Sequence, residues 1–372
     1  MVVNVVKLED IANVDYGTRV VKSNVEGNEY PVYGGGGETF RINKYNRENC
    51  VVVSRFAMSP KCTRYVNEKI FLNDSGLTVS TKDNNILLQE YLDWYLLSKN
   101  DEIYSLGRGA GQRNLEIPSF KRMLISYPTD LEEQRKIISQ LKLADEIRAK
   151  KKLANDKLDE FLKSTFITMF GDPVRNEENY RIEKLQNVTK FLTDGKHGDC
   201  EDEDNSDYYF VSAKCINNGK IDLTQARQIK YDDYKEVNKR VKINVGDLLI
   251  VNTGATIGKM AIIRDEGLSN SITLQKSVAV INMDNDVLNS EYLSHCLLFK
   301  SMAKVSAGSA IHNLLLSTMR AYELPIPPIE DQNKFAEIVE KVEAQKQKNE
   351  LVIEQMNNLF NSLSQRAFKG EL

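Results

Sequence analysis

Cysteine, histidine and proline are all sparse in this chain of 372 residues, and each shortage excludes something. The five cysteines form no Cys-x-x-Cys pair, and an odd number cannot all be bridged within one chain, which reads as the reduced thiols of a cytoplasmic protein. With only three histidines there is no reading for a zinc or other metal site. Few prolines and glycines beside a hydrophobic share of 41% argue against long disordered tails. No apolar run approaches the roughly 18 to 20 residues of a membrane span, and the apolar start at Met1 to Val6 is too short for a signal peptide. Neither sign of charge dominates. Lys and Arg number 16 against 16 Asp and Glu over residues 1 to 130, and 19 against 22 over residues 171 to 328. Any nucleic-acid binding must therefore use local basic clusters, with help from partners.

Catalytic signatures are missing as well. There is no Asn-Pro-Pro-Tyr or Asp-Pro-Pro-Tyr of an adenine methylase, no glycine-rich S-adenosylmethionine loop and no Pro-Asp with Glu-x-Lys nuclease pattern. Gly254-Ala-Thr-Ile-Gly258-Lys259 has three residues between its glycines where a phosphate loop needs four, and Met260 where Ser or Thr would bind magnesium. Gly107-Arg108-Gly109-Ala110-Gly111 has the wrong glycine spacing for a dinucleotide fingerprint.

What the chain has is a long internal repeat. Glu90-Tyr91-Leu92 returns as Glu291-Tyr292-Leu293, Gly109 to Leu115 as Gly308 to Leu314, Pro128 as Pro327, and Glu132-Glu133-Gln134 as Glu330-Asp331-Gln332. A period of roughly two hundred residues is too long for a solenoid and means two domains of one kind. Short strands are expected at Val51 to Val53, Ile70 to Leu72, Met123 to Ile125, Phe210-Val211, Leu248 to Val251 and Val278 to Ile281, with matching helices at Glu90 to Ser98 and Glu291 to Lys300. The acidic stretch Asp199 to Asp207 reads as a solvated loop.

Each copy ends in about forty residues of helical period. Asp130 with Glu133 suits a helix start, Gly171 suits a stop, and the second helix runs from about Ile329 to Lys369 before Gly370. Apolar residues recur at spacings of three and four: Ile137, Leu141, Ala144, Ile147, Leu158, Phe161, Thr165 and Met169, then Phe335, Val339, Val342, Val352, Met356, Leu359 and Leu363. Both stripes turn polar in the middle, at Lys150 to Lys152 and Gln345 to Asn349, and they are best buried against each other as an antiparallel coiled coil. Forty helical residues span about 60 Å, more than the 34 to 36 Å of one DNA turn. The expected segments are 1–130 and 172–328 for the modules, and 131–171 and 329–372 for the helices.

Pro327-Pro-Ile-Glu-Asp-Gln332, Met169-Phe-Gly-Asp-Pro173, the ending Ser364 to Leu372, Asp194-Gly195-Lys196-His197-Gly198, Phe210 to Gly219 and Gly246 to Lys259 together resemble the specificity subunit of type I restriction-modification systems, over essentially the whole chain. The first module departs from the pattern in lacking an Asp-Gly-x-His counterpart. The resemblance implies a mixed α/β fold: two pseudo-repeated target recognition domains, joined and separated by two long antiparallel coiled-coil helices in a circular, pseudo-two-fold chain. It implies a non-catalytic protein whose modules each read half of a bipartite site in double-stranded DNA. It further implies helices that fix the spacer and dock two methylation subunits, with restriction subunits joining. S-adenosylmethionine, ATP and magnesium would then belong to the partners, and this chain would hold no cofactor. The rival readings are a protein-binding scaffold without DNA specificity and a self-contained nuclease or methylase.

The DNA-binding candidates of the first module are Lys44, Arg47, Arg55, Lys61, Arg64, Arg108 and Arg113. Those of the second are Lys196, His197, Lys214, Thr253, Thr256, Lys259 and His312. Most such bases position a protein on phosphates, and a few reach base edges. Leu141, Ala144, Leu158, Phe161, Val339, Val342, Met356 and Leu359 are the candidates on the spacer and docking helices.

Overall fold

Val51 to Val53 and Leu248 to Val251 are wholly or almost wholly buried at the centres of the two sheets around which the computed structural model is built. It describes residues 2–24, 26–306 and 314–369. His312, the repeat positions 308–313 and Gly370 lie outside these described residues. The chain divides into two units, 1–154 with 349–372, and 155–348.

In the first unit a six-stranded sheet runs in the order Ala12–Tyr16, Gly76–Thr81, Arg47–Ser54, Thr63–Leu72, Tyr30–Gly34, Gly37–Ile42. All its pairings are antiparallel except that of Tyr30–Gly34 with Thr63–Leu72. A separate ribbon pairs Val3–Lys7 with Leu124–Pro128, so the expected strand at Met123 begins one residue later. The helix Gln89–Ser98 buries Tyr91, Leu92, Tyr95 and Leu96 against this sheet's core.

The second unit repeats the kernel. Thr189–Asp194 pairs with Val278–Met283, which pairs with Leu248–Val251, which pairs with Met260–Ile262. In both units the first strand of the kernel pairs with the last, the last with the second and the second with the third. The ribbon recurs as Arg181–Lys184 with Glu323–Ile326, and the helix as Ser290–Ser306. A small sheet of Arg227–Gln228, Tyr209–Val211 and Ile272–Leu274 repeats the pairing of Gly37–Ile42, Tyr30–Gly34 and Thr63–Leu72, antiparallel then parallel. It is separate from the four-stranded sheet but shares a core with Leu249, Val251, Val278 and Val280 of it. The acidic stretch from Asp199 is irregular as expected, yet it is not idle: Asp199 and Asp202 hold Arg227 at 2.5 and 2.7 Å, and Glu201 holds Lys230 at 2.5 Å.

The repeated Gln of the helix starts has the same task twice. Gln134 accepts from the Leu88 N–H at 2.9 Å and donates to the Ile86 and Pro128 carbonyls at 2.9 and 2.8 Å. Gln332 accepts from the Asn289 N–H at 2.9 Å and donates to the Val287 and Pro327 carbonyls at 3.0 and 2.9 Å. Both side chains are fully buried, where three unmet backbone groups would be costly. The repeated tyrosines likewise donate to ribbon carbonyls, Tyr91 to Ser126 and Tyr292 to Pro325.

The long helices are Leu131–Phe170 and Ile329–Lys369. Asp130 Oδ1 caps the first by accepting from the Glu132 N–H at 2.9 Å, and Gly171 follows it at φ +70°. Within the first unit, Arg148 donates to Asn357 at 3.1 Å and Lys151 to Asn349 at 3.2 Å, while Phe360 and Leu363 pack on a core containing Ile137 and Leu141. Within the second, Lys346 bonds Asp159 at 2.8 Å and Phe166 meets Phe335 edge-on at 5.4 Å. In each unit residue numbers rise on one helix as they fall on the other, so the pairing is antiparallel. The polar middles of the two stripes meet at Lys151 and Asn349.

The stripes themselves need correction. Leu141, Ala144, Val339 and Val342 are buried, and Leu158 and Met356 are partly buried, but Phe161 and Leu359 face out at 51% and 43% exposure. Leu162, Phe166 and Phe170 fill the seam in place of Phe161 and Thr165, and Phe360 packs on Trp94 in place of Leu359. Spacings of three and four fit either line. The line that wins is the one with aromatic partners, since Phe166 and Phe170 both meet Tyr292 and Phe335. Burying one such ring contributes roughly 1.5 to 3 kcal/mol. Among the described residues no helix is long and apolar enough to cross a membrane.

Candidate nucleic-acid interface

Three turns of the first unit are stitched together by backbone hydrogen bonds. The Gly17 and Thr18 N–H groups donate to the Gly76 and Leu72 carbonyls at 3.1 and 2.9 Å, and the Arg55 N–H to Ser75 at 2.8 Å. The Leu115 N–H then reaches the Arg55 carbonyl at 2.9 Å, and the Met58 N–H that of Arg113 at 2.8 Å. A Cβ on Gly17 would lie 2.0 Å from the Asn73 carbonyl oxygen, so only glycine fits there. This frame brings Arg55 and Arg113 together.

Each basic candidate of this unit has a definite place. The Arg55 guanidinium lies over the rings of Tyr16 and Phe56, 4.9 and 4.5 Å from their centroids, and donates through Nη1 to the Asp74 carbonyl at 3.3 Å. Arg113 lies over Tyr104 and donates to Gly107. Arg64 donates to the Lys61 carbonyl, and Lys61 and Arg108 are exposed. Arg47 is different: its three nitrogens donate to Thr78 Oγ1 and to the Asn46 and Tyr16 carbonyls, so it braces the Tyr16 turn from within. Lys44 sits over Phe71.

The second unit has the same frame. The Gly195 and Lys196 N–H groups donate to Val278 and Leu274 at 3.2 and 2.8 Å, the Asn252 N–H to Ser277 at 3.0 Å, and the Leu314 N–H to Asn252 at 2.9 Å. A Cβ on Gly195 would lie 1.9 Å from the Leu274 carbonyl oxygen. Tyr16-Gly17-Thr18-Arg19 therefore occupies the backbone position of Asp194-Gly195-Lys196-His197, and the counterpart expected to be missing from the first module is present. The frame demands only the glycine, so the flanking residues were free to differ.

The side chains on this second frame are differently arranged. Lys196 is tied to Asp233 at 2.8 Å and Glu236 at 3.5 Å, and the Asp233 hydrogen bond raises its pKa while lowering that of Asp233. His197 Nε2 lies 3.0 Å from Asp194 Oδ2, and Arg240 donates to the Asp194 carbonyl at 3.0 Å. Thr253 donates to Asn252, and the following turn, with Gly254 and Gly258 at positive φ, presents Thr256 and an exposed Lys259 that donates to Asn217 at 2.8 Å. Lys214 is exposed on a turn whose Ala213 N–H reaches Ser277 Oγ at 3.2 Å. Arg240 and Lys276 belong to this second cluster and Arg19 stands exposed two residues after Gly17, and the sequence reading missed all three. The signal for Arg19 was a glycine closing an extended segment, as Gly195 does.

Among the described residues no three or more His, Cys, Asp or Glu are grouped as metal ligands. The two frames match in order as well as in bonds, and the sequence profile described as type I restriction modification DNA specificity domain matches residues 2–157 and again 176–355. The chain belongs to that family. Among curated members of type I restriction-modification specificity subunits, the EcoBI specificity subunit of Escherichia coli is 29% identical over 169 residues, 42% of this chain and 34% of its own length. The MjaVIII specificity subunit of Methanocaldococcus jannaschii is 21% identical over 182 residues, 48% of this chain and 39% of its own. The matched stretch thus spans about a third to two fifths of these relatives. The fold agrees over the whole chain with the S subunit from M. genitalium, at a TM-score of 0.63, 15% identity and coverage of 99% and 96%. It agrees also with a chain solved in work on complex assembly and conformational transition of the type I R-M system, at a TM-score of 0.57, 15% identity and coverage of 100% and 98%.

Proposed function

We propose that this specificity-family chain is the DNA-reading subunit of a type I restriction-modification complex. The module of residues 1–130 reads one half of a bipartite double-stranded site and that of 172–328 the other. The helices over 131–171 and 329–372 set the gap and dock two methylation subunits, which restriction subunits join. The chain is non-catalytic and acts in the cytoplasm. S-adenosylmethionine, ATP and magnesium serve the partner subunits.

One observation carries this reading: a frame of four matching backbone hydrogen bonds is built twice and dressed with different side chains. A symmetric scaffold has no need of that difference, whereas reading an asymmetric site requires it, because backbone contacts position and side chains on base edges specify. Leu143, Leu153, Phe161, Ile167, Leu351 and Leu359 stay exposed on the long helices, where a docking partner could cover them.

The test is co-expression with the cognate methylation subunits and mapping of modified adenines across the host genome. A split motif with a constant gap is expected. Unmodified DNA from an otherwise active complex would overturn the proposal in favour of a scaffold.

A further inference from the structure

Arg55 differs from every other basic candidate of the first unit. Its guanidinium lies over two rings, where Lys44 and Arg113 each lie over one, and like the other candidates it pairs with no carboxylate among the described residues. Both rings are themselves exposed, Tyr16 at 42% and Phe56 at 36%, which is unusual for large aromatic groups with no core to fill. The backbone on either side is pinned: the Arg55 N–H to Ser75, its carbonyl by the Leu115 N–H, and the Ala57 N–H to Asn114 Oδ1 at 3.1 Å. Nη1 is held by the Asp74 carbonyl. That leaves the edge bearing Nε and Nη2 as a pair of parallel donors in a plane fixed by the two rings.

We propose that Arg55 is a guanine-reading side chain, and hence that the half-site read by the first module contains a G·C pair. This rests on the function proposed above. Guanine presents two acceptors, N7 and O6, side by side in the major groove, and a guanidinium edge matches them with two hydrogen bonds. A phosphate contact asks only for charge, which Lys61 and Arg108 already supply from exposed positions. The rings restrict the plane of the guanidinium before DNA arrives, so less side-chain freedom is lost on binding. In the second unit the equivalent of Arg55 is Asn252, which is buried and holds the Thr253 hydroxyl at 3.3 Å. This reader therefore belongs to one half-site only.

The experiment uses the full chain in complex with its methylation subunits and measures methylation of a site library in which each base pair of both halves is varied singly. The wild-type complex should reject replacement of one G·C pair in one half by about tenfold or more. Arg55→Lys, which keeps the charge and loses the paired edge, should flatten preference at that one position and leave the other half-site unchanged. The unchanged half shows that the variant has folded. Phe56→Leu should flatten the same position partially. The inference is overturned if Arg55→Lys leaves all preferences intact, if it weakens every position equally as a phosphate contact would, or if neither half of the wild-type site holds a G·C pair beside this residue's position. If the wild-type complex has no sequence preference in either half, the proposed function falls with it. The remaining negative outcomes reject Arg55 alone.

Discussion

The turn at Gly17 and the turn at Gly195 have the same backbone and opposite electrostatics. Beside Gly17, Arg55 is held by the Tyr16 and Phe56 rings and a carbonyl, and among the described residues no carboxylate pairs with it. Around Gly195, Lys196 is opposed by Asp233 and Glu236, and Asp194 engages His197 and Arg240. Under the proposed function, a fixed frame with exchangeable side chains would let each module change what it reads without refolding. It also means that a cation in the sequence is not by itself a cation offered to DNA.

The largest effect expected from breaking this comparison comes from the two glycines. Gly17→Ala and Gly195→Ala each push a methyl into a backbone oxygen, at 2.0 and 1.9 Å. Each should cost about 3 kcal/mol in unfolding free energy. In the assembled complex, each should abolish selectivity in one half-site and leave the other.

Two buried acids sharpen the contrast within the cores. Burial pushes both the Asp93 and the Asp247 carboxyls up to about 6. Stability from such a group is fully present below its unfolded pKa near 4 and is lost as pH rises through 6. Asp93 accepts one hydrogen bond from the Gln89 amide, which an Asn can also accept. Asp93→Asn should therefore retain, at pH 8, on the order of 1 to 3 kcal/mol that the wild type loses between about pH 4 and 7. Asp247 accepts from both the Asn244 N–H and the Asn282 amide, and an Asn there would turn a donor towards a donor. Asp247→Asn should destabilise at all pH values by about 1 to 3 kcal/mol. Denaturant unfolding across that pH range separates the two.

The smallest effect concerns two neighbouring lysines. Lys276 is exposed on the turn whose N–H binds the Lys196 carbonyl at 3.0 Å, whereas Lys196 is ion-paired. Lys276→Gln should lower the salt dependence of DNA binding by about one unit of slope. Lys196→Gln should lower it by much less.

The helices were legible because caps, a lack of Pro and Gly, and apolar period agree over forty residues. Their buried line was less so, since Phe161 and Leu162 satisfy the same spacing rule and only the rings of Tyr292 and Phe335 decide between them. The repeat was visible where one task demands one residue, as with Gln134 and Gln332. It was hidden at Tyr16 to Arg19, where the frame demands a single glycine. Lys196 looked available because its partners lie 37 and 40 residues further along the chain. Arg47 looked the same for a similar reason, since Thr78 and Tyr16 are each 31 residues away.

The claim that helical length sets the gap between half-sites has a direct measurement. Four residues added to each long helix, beside Lys151 and beside Asn349 where they meet, lengthen each by about 6 Å, close to two base pairs at about 3.4 Å. Adenine mapping with the assembled complex should return both original half-sites with a gap longer by one or two base pairs. The same two half-sites at the original gap, with methylation undiminished, would contradict the account.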